Sequence, residues 1–273
     1  MPLVFVPTPL GNLRDITLRA LDTLREAELI VAEDTRVARR LLSALGLPGR
    51  ELWSYREQNA EGATAGILER ARAGLVAVTT DAGTPGISDP GSELVAAARA
   101  AGVAVEVLPG PSAALGAAVL SGFPLARFAF EGFPPRTAAA RREAFRRALA
   151  LGVTTIWYES PQRIAAALAD LAAVEPAATV FLLREYTKVH EEQLLGTPAA
   201  VAARLGKPVR GEIAFALAAG ALAQSEAREA SDAEIDALLA QGHKVSEVAR
   251  LLAERGLGER HGLYARAAAR KRR

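Results

Sequence analysis

Cysteine is absent from this sequence, which excludes disulfides, thiolate metal centres and thiol nucleophiles. Histidine is scarce: His190, His243 and His261 stand far apart at no ligand spacing, so no metal site is expected. No apolar run approaches the roughly 18 residues that span a bilayer. The opening "MPLVFVPTPLGN" lacks the basic stretch and long apolar core of a signal peptide. A cytoplasmic protein without membrane association is expected. The phosphate-cradling patterns GxGxxG and GxxxxGK[ST] are missing as well. Lysine is nearly missing: 29 of the 33 cations are arginine, so an arginine by itself says little about what it binds.

What is present is 273 residues, half of them apolar, enough for two domains with substantial cores. Net charge is only +2, yet it is unevenly spread. Arg255 to Arg273 holds seven Lys/Arg against one glutamate, and Arg136 to Arg147 holds five arginines against one glutamate. Two basic clusters on an acidic body point to a polyanionic partner, and arginine used as a general-purpose cation explains them about as well.

Short apolar runs alternate with amphipathic helical patterns along the first 120 or so residues. Leu3–Pro7, Leu29–Glu33, Leu52–Tyr55, Leu75–Thr80 and Val103–Pro109 read as strands. Helices are expected at Thr17–Ala27, Thr35–Leu45, Ala60–Ala73 and Ser92–Ala101, with another after "LPGPSA". This order predicts a parallel sheet covered on both faces. "SGFPLARFAFEGFPPRT" then breaks the pattern, placing a boundary near Gly122. Strands resume at Phe128–Glu131, Thr154–Glu159, Thr179–Arg184, Glu192–Leu195 and Glu212–Leu217. The tail reads as three short helices, the first opened by a capping-box spacing of Ser231 and Glu234. The expected fold is α/β: a parallel-sheet domain (1–122), a second, mixed-sheet α/β domain (123–222), a cofactor cleft between them, and a small basic helical extension (223–273).

In an open parallel sheet, ligands bind beyond the carboxyl ends of the strands. Three loops take that position: "PTPLGN" (Pro7–Asn12), "DAGTPGISDPG" (Asp81–Gly91) and "PGPSA" (Pro109–Ala113). All are rich in glycine and proline, and none carries a cation. Glycine admits close backbone approach and proline holds the loop in shape. Asp81 and Asp89 would repel a pyrophosphate but suit a ligand with hydroxyls, an amine and its own positive centre. S-adenosylmethionine is such a ligand; tight βα turns are the plain alternative. "AEDTR" (Ala32–Arg36) lies on the same rim. Asp34 or Thr35 fits a helix cap, but Glu33, Asp34 and Arg36 together exceed what a cap needs and favour a substrate-facing role. "REYTKVHEE" and "RGEIAFAL" add charged strand edges, which solvated ladder ends explain nearly as well.

Taken in order, "VPTPLGNLRDITLRAL", "AEDTRVARRLL", "DAGTPGISDPG", "LPGPSA", "SGFP", "FEGFPPR", "YESPQR", "REYTK" and "GEI" resemble a branch of the tetrapyrrole (class III) methyltransferases. That branch is the 16S ribosomal RNA (cytidine-2'-O)-methyltransferases, and the resemblance runs from about Leu3 to Leu217. It implies two α/β domains with S-adenosylmethionine in the cleft, commonly a homodimer, and methylation of a cytidine ribose in the decoding region of the small ribosomal subunit. It assigns cofactor contacts to Pro9 and Leu10, to Asp81, Ala82 and Gly83, to Ile87 and Ser88, to Ser112 and Ala113, and to Glu212 and Ile213. The sequence departs from the family pattern at Thr79, Thr80, Gly86, Gln162 and Tyr186, which weakens any catalytic role for the last two.

For transfer to a ribose hydroxyl, a positioned base would help. Glu33, Asp34 and Glu185 are candidates, with Lys188 eligible if desolvation lowers its pKa. RNA phosphates would lie against Arg36, Arg136, Arg141, Arg142 and the tail. Phe133 or Tyr158 could stack on a splayed base, or simply belong to the core. Two other readings stay open: a class III methyltransferase acting on a small anionic molecule such as a tetrapyrrole, and a non-catalytic RNA-binding assembly factor.

Overall fold

A computed structural model describes residues 2–56, 58–206, 208–219, 230–254 and 257–271. Five short strands make the first sheet: β1 (Leu3–Phe5), β2 (Leu29–Ala32), β3 (Leu52–Ser54), β4 (Val76–Thr79) and β5 (Val105–Val107). They run parallel in the order β3-β2-β4-β1-β5. β1, β2 and β4 are buried along their whole length, as expected of apolar strands covered on both faces. The crossover helices are α1 (Leu18–Glu26), α2 (Thr35–Ala44), α3 (Ala60–Ala73) and α4 (Ser92–Ala100). Thr17 and Asp34 cap α1 and α2, each side chain accepting a backbone N–H two or three residues on.

Strand order reverses between β1 and β4. The chain leaves β1 toward β2 and leaves β4 toward β5, so the loops after these two adjacent strands part and open a crevice. A two-way backbone bridge between Thr8 and Gly83 ties the loops together (Thr8 N to Gly83 O 2.9 Å, Gly83 N to Thr8 O 3.0 Å).

The second sheet has the order β6-β7-β10-β8-β9. It comprises β6 (Phe128–Gly132), β7 (Thr154–Glu159), β8 (Val180–Arg184), β9 (Glu192–Gly196) and β10 (Ile213–Leu217). Only β6 and β7 are parallel, so the sheet is mixed. One face packs on α6 (Ala138–Ala150), α7 (Ile164–Val174) and α8 (Pro198–Arg204) through a core around Trp157, Phe145 and Phe215.

The other face is covered by α5 (Ala113–Ser121), whose Ala114, Ala117 and Ala118 meet Ile156, Phe181, Leu183 and Ala216. This moves the expected boundary. The helix that ends at Gly122 already belongs to the second sheet, so the chain changes layers at the loop before α5. Small residues at i, i+3 and i+4 are what let α5 lie flat on that sheet.

The tail forms α9 (Asp232–Ala240), α10 (Val245–Glu254) and α11 (Arg260–Lys271) around its own core of Ile235, Leu238, Val248, Leu252 and Leu263. Ser231 and Glu234 form the expected capping box, each accepting the other's backbone N–H. No described helix is long and apolar enough to cross a membrane.

Candidate functional site

The crevice between the sheets holds a cavity of about 330 Å³, within the range of small-molecule sites. From the first sheet it is lined by Leu10 of the β1 loop, by Ala82, Gly83, Thr84, Ile87, Ser88 and Asp89 of the β4 loop, and by Ser112 and Ala113 at the start of α5. The second sheet contributes Phe133 after β6, Tyr158 to Pro161 at the end of β7, Leu183 and Tyr186 at β8, and Glu212 to Ala214 at β10. None of these lining residues is a lysine or arginine.

Local geometry explains the loop composition. Gly83 and Gly86 adopt left-handed φ values of 83° and 85°, and a Cβ on Gly83 would press on Leu10 at 3.2 Å. Ser88 takes φ 63° without being glycine, strain held at the cavity wall. Tyr158 packs edge-on against Phe130 and Phe133, and its Oη accepts the Ala114 N–H at 3.2 Å, joining the second sheet to α5.

Burial, with Glu33, Asp81 and Glu212 nearby, pushes the Asp89 carboxyl up to about 6 against the opposing hydrogen bond from Thr80. An apolar chamber with one raised carboxylate, Asp89, and no lysine or arginine in its lining has the donor set for a ligand that brings positive charge. S-adenosylmethionine fits that description. Ser112, Ser88 and the backbone of the β4 loop would read its polar edges, and Asp89 would face its charge.

A second, polar cavity adjoins the first at Ser88, lined also by Glu33, Asp34, Arg36, Arg56, Gln58, Asp81 and Pro90. Partial desolvation and the neighbouring Glu33 raise the Asp81 pKa. The Asp34 N–H donates to Asp81 at 3.3 Å.

A family model described as Tetrapyrrole (Corrin/Porphyrin) Methylases matches residues 2–199. The chain belongs to the tetrapyrrole methylase family. It is 41% identical over 255 residues, 91% of this chain and 81% of the relative, to "Ribosomal RNA small subunit methyltransferase I" of Micromonospora olivasterospora. The protein of the same name from Xylella fastidiosa (strain Temecula1) is 39% identical over 95% of this chain and 96% of its own. Among solved structures, a diphthine synthase matches with TM-score 0.61 at 17% identity, covering 80% of this chain and 90% of that one. A Thermus thermophilus uroporphyrin-III C-methyltransferase complexed with S-adenosylhomocysteine matches with TM-score 0.56 at 22% identity, over 80% and 97%. Those two likenesses concern the fold.

In this methylase nine of the eleven residues assigned to the cofactor line the main cavity: Leu10, Ala82, Gly83, Ile87, Ser88, Ser112, Ala113, Glu212 and Ile213. Pro9 is buried beneath its loop and lines neither cavity, and Asp81 faces the polar cavity instead. Asp89, which the sequence pairs with Asp81 as suited to a positively charged ligand, lines the main cavity, whereas Ser160 and Pro161 are cavity residues the sequence reading did not assign, although they follow the carboxyl end of β7, the signal used for the other loops. Leu183 sits inside a strand and carries no local signal.

Several candidate bases and cations change role. Asp34 is the α2 cap; hydrogen bonds from the Arg36 side chain and backbone hold it far below the usual carboxylate range. Lys188 is not a depressed-pKa base. Burial lowers its pKa, but ion pairs to Glu185 (2.8 Å) and Glu212 (2.9 Å) outweigh that and raise it. Burial likewise raises Glu185, which Lys188 and the Glu212 N–H bring below its ordinary value.

Arg141 is buried against Asp170 and donates to the carbonyls of Pro135 and Arg136, so it is a structural ion-pair partner and no phosphate contact. Arg142 is half exposed and shares Asp170 at 2.7 Å, while Arg36 and Arg136 are exposed. In the tail, Arg266 and Arg270 pair with Asp232, and Arg270 also with Asp236, which engages two of the seven cations of the apparent basic cluster. Arg255, Arg272 and Arg273 lie outside the described residues.

Proposed function

We propose that this methylase transfers a methyl group from S-adenosylmethionine to the ribose 2'-hydroxyl of a cytidine in the decoding region of 16S ribosomal RNA. The observation that carries the reading is similarity over nearly the whole length to relatives named for the small-subunit ribosomal RNA. The cation-free chamber supports the cofactor, which when bound supplies an electrophilic methyl on a sulfonium. The chain's own work is placement. The β1, β4 and α5 loops grip one side of the chamber and Tyr158 to Pro161 the other, excluding water around the reacting atoms and aligning them for in-line displacement.

The acceptor nucleotide enters by the polar cavity, where the exposed Arg36 and Arg56 meet phosphate. With Asp34, Glu185 and Lys188 held in ion pairs, Glu33 is the base candidate that faces this cavity. Exposed apolar side chains at Leu115 and Val119 on α5 and at Phe128 and Phe130 on the edge strand β6 support a homodimer.

The test is transfer of labelled methyl to assembled small subunits, naked 16S RNA and a tetrapyrrole in parallel, with nuclease mapping of the product. Label in a decoding-region cytidine ribose is expected. Label in the tetrapyrrole alone would replace this reading with that of a small-anion methyltransferase. Failure to bind S-adenosylmethionine in calorimetry would favour a binding protein.

A further inference from the structure

Between the two cavities stands one hydroxyl with two carboxylates. Thr80 Oγ1 lies 2.8 Å from Asp89 Oδ2 and 3.1 Å from Glu33 Oε2. Thr80 is buried; Asp89 lines the main chamber and Glu33 the polar cavity. A threonine hydroxyl has one hydrogen to donate. It can satisfy one of these oxygens, and the second contact becomes a hydrogen bond only when the other carboxyl carries a proton and donates it to Oγ1. The triad is therefore built around a shared proton.

The parts are fixed in place. The Glu33 carbonyl accepts from Arg56 Nε (2.8 Å) and Ser54 Oγ (3.3 Å), and the Thr80 carbonyl accepts from the buried Thr8 hydroxyl.

Resting on the methyl-transfer reading above, we infer that Glu33, Thr80 and Asp89 form a relay that carries the acceptor hydroxyl's proton from the polar cavity to the main chamber. Glu33 takes the proton and passes it to Thr80 Oγ1, whose own hydrogen moves to Asp89 Oδ2. The electron pair of the broken O–H bond forms the new O–CH3 bond, and the C–S pair stays on sulfur. One carboxylate is neutralised as one sulfonium charge disappears, so the net charge of the closed chamber is the same before and after transfer. In a low-dielectric cavity that constancy removes an electrostatic cost.

The groups facing Asp89 agree. Burial is the main cause, and Glu33, Asp81 and Glu212, all acidic, add to it, so its carboxyl retains a proton to about pH 6. Arg56 is directed at Asp34 and Asp81.

Two readouts test the relay. In infrared titration of the ligand-free protein, a carboxylic-acid carbonyl band is expected to titrate near pH 6. It should be absent in Asp89→Asn, shifted in Thr80→Val and retained in Thr80→Ser. In single-turnover methylation of small subunits, Thr80→Val is expected to lose about 100-fold with unchanged affinity for S-adenosylmethionine, and Thr80→Ser to recover the rate. A missing Asp89 band, or a Thr80→Val rate equal to wild type from pH 5 to 9, overturns the relay. If the band is present while wild-type protein labels no RNA, the substrate reading fails and the shared proton stands.

Discussion

Arg141 looked in the sequence like its neighbours in a basic helix, yet its guanidinium is buried against Asp170 while Arg142 is half exposed. Helical periodicity separates them by 100°, enough to put one inside and the other at the surface. Removing one partner of a buried pair leaves an uncompensated charge. Arg141→Met is therefore expected to cost about 3–5 kcal/mol in denaturant unfolding, and Arg142→Met much less.

Asp89 shows the opposite electrostatics. Its pKa rises from 3.8 to about 6 on folding, so ionising it opposes the native state once pH passes its unfolded value. Below pH 4 the acid is protonated in both states, and an asparagine side chain in its place would mimic it. Asp89→Asn should then raise stability progressively between pH 4 and 6 and hold the gain above, roughly 1 kcal/mol once solvent screening is allowed for. Thermal unfolding across pH 3–8 reads this directly; no gain at pH 8 would place Asp89 in a more polar setting.

The segment joining β8 to β9 shows how much an element's meaning depends on what it touches. Its residues Glu185 and Thr187 take left-handed φ values of 52° and 66°, strain that is retained where surroundings over-determine the backbone. A Cβ on Gly11 would overlap the Lys188 stem, one on Gly116 the Tyr186 ring, and one on Gly211 the Glu185 side chain. Three glycines thus seat three parts of one loop, one of them, through Lys188, reaching across from the second sheet to the β1 loop. Gly11→Ala is expected to push the Lys188 stem away and weaken S-adenosylmethionine binding. Adding Lys188→Ala should restore part of the loss, a coupling that calorimetry on the double-mutant cycle would measure. "REYTK" read as a charged strand edge because glycines at 11, 116 and 211 are neighbours only after folding. The βα elements were far more legible: Thr154–Glu159 and Ala60–Ala73 have the bounds read from period, caps and turn residues.

At the scale of the whole molecule, two sheets meet around a chamber, with a third, three-helix unit that has its own core. If the exposed faces of α5 and β6 meet a second copy, Leu115→Glu with Val119→Glu should yield a monomer by analytical ultracentrifugation, with an unchanged far-UV spectrum. An unchanged oligomer would move the interface elsewhere. Short, continuous apolar runs between amphipathic helices dictated the parallel sheet, because such runs must be covered on both faces and the 3.6 period declares which helix face covers them. Glycine and proline at the strand ends dictated where the loops could hold a ligand, since those residues act on their own backbone. Pairing is another matter. Which cation meets which carboxylate, and that Asp81 and Asp89 of one loop face different cavities, depend on distances between residues 28 to 47 positions apart in the chain. Only the tertiary structure decides these, because charge and burial act through space and carry no periodicity along the chain.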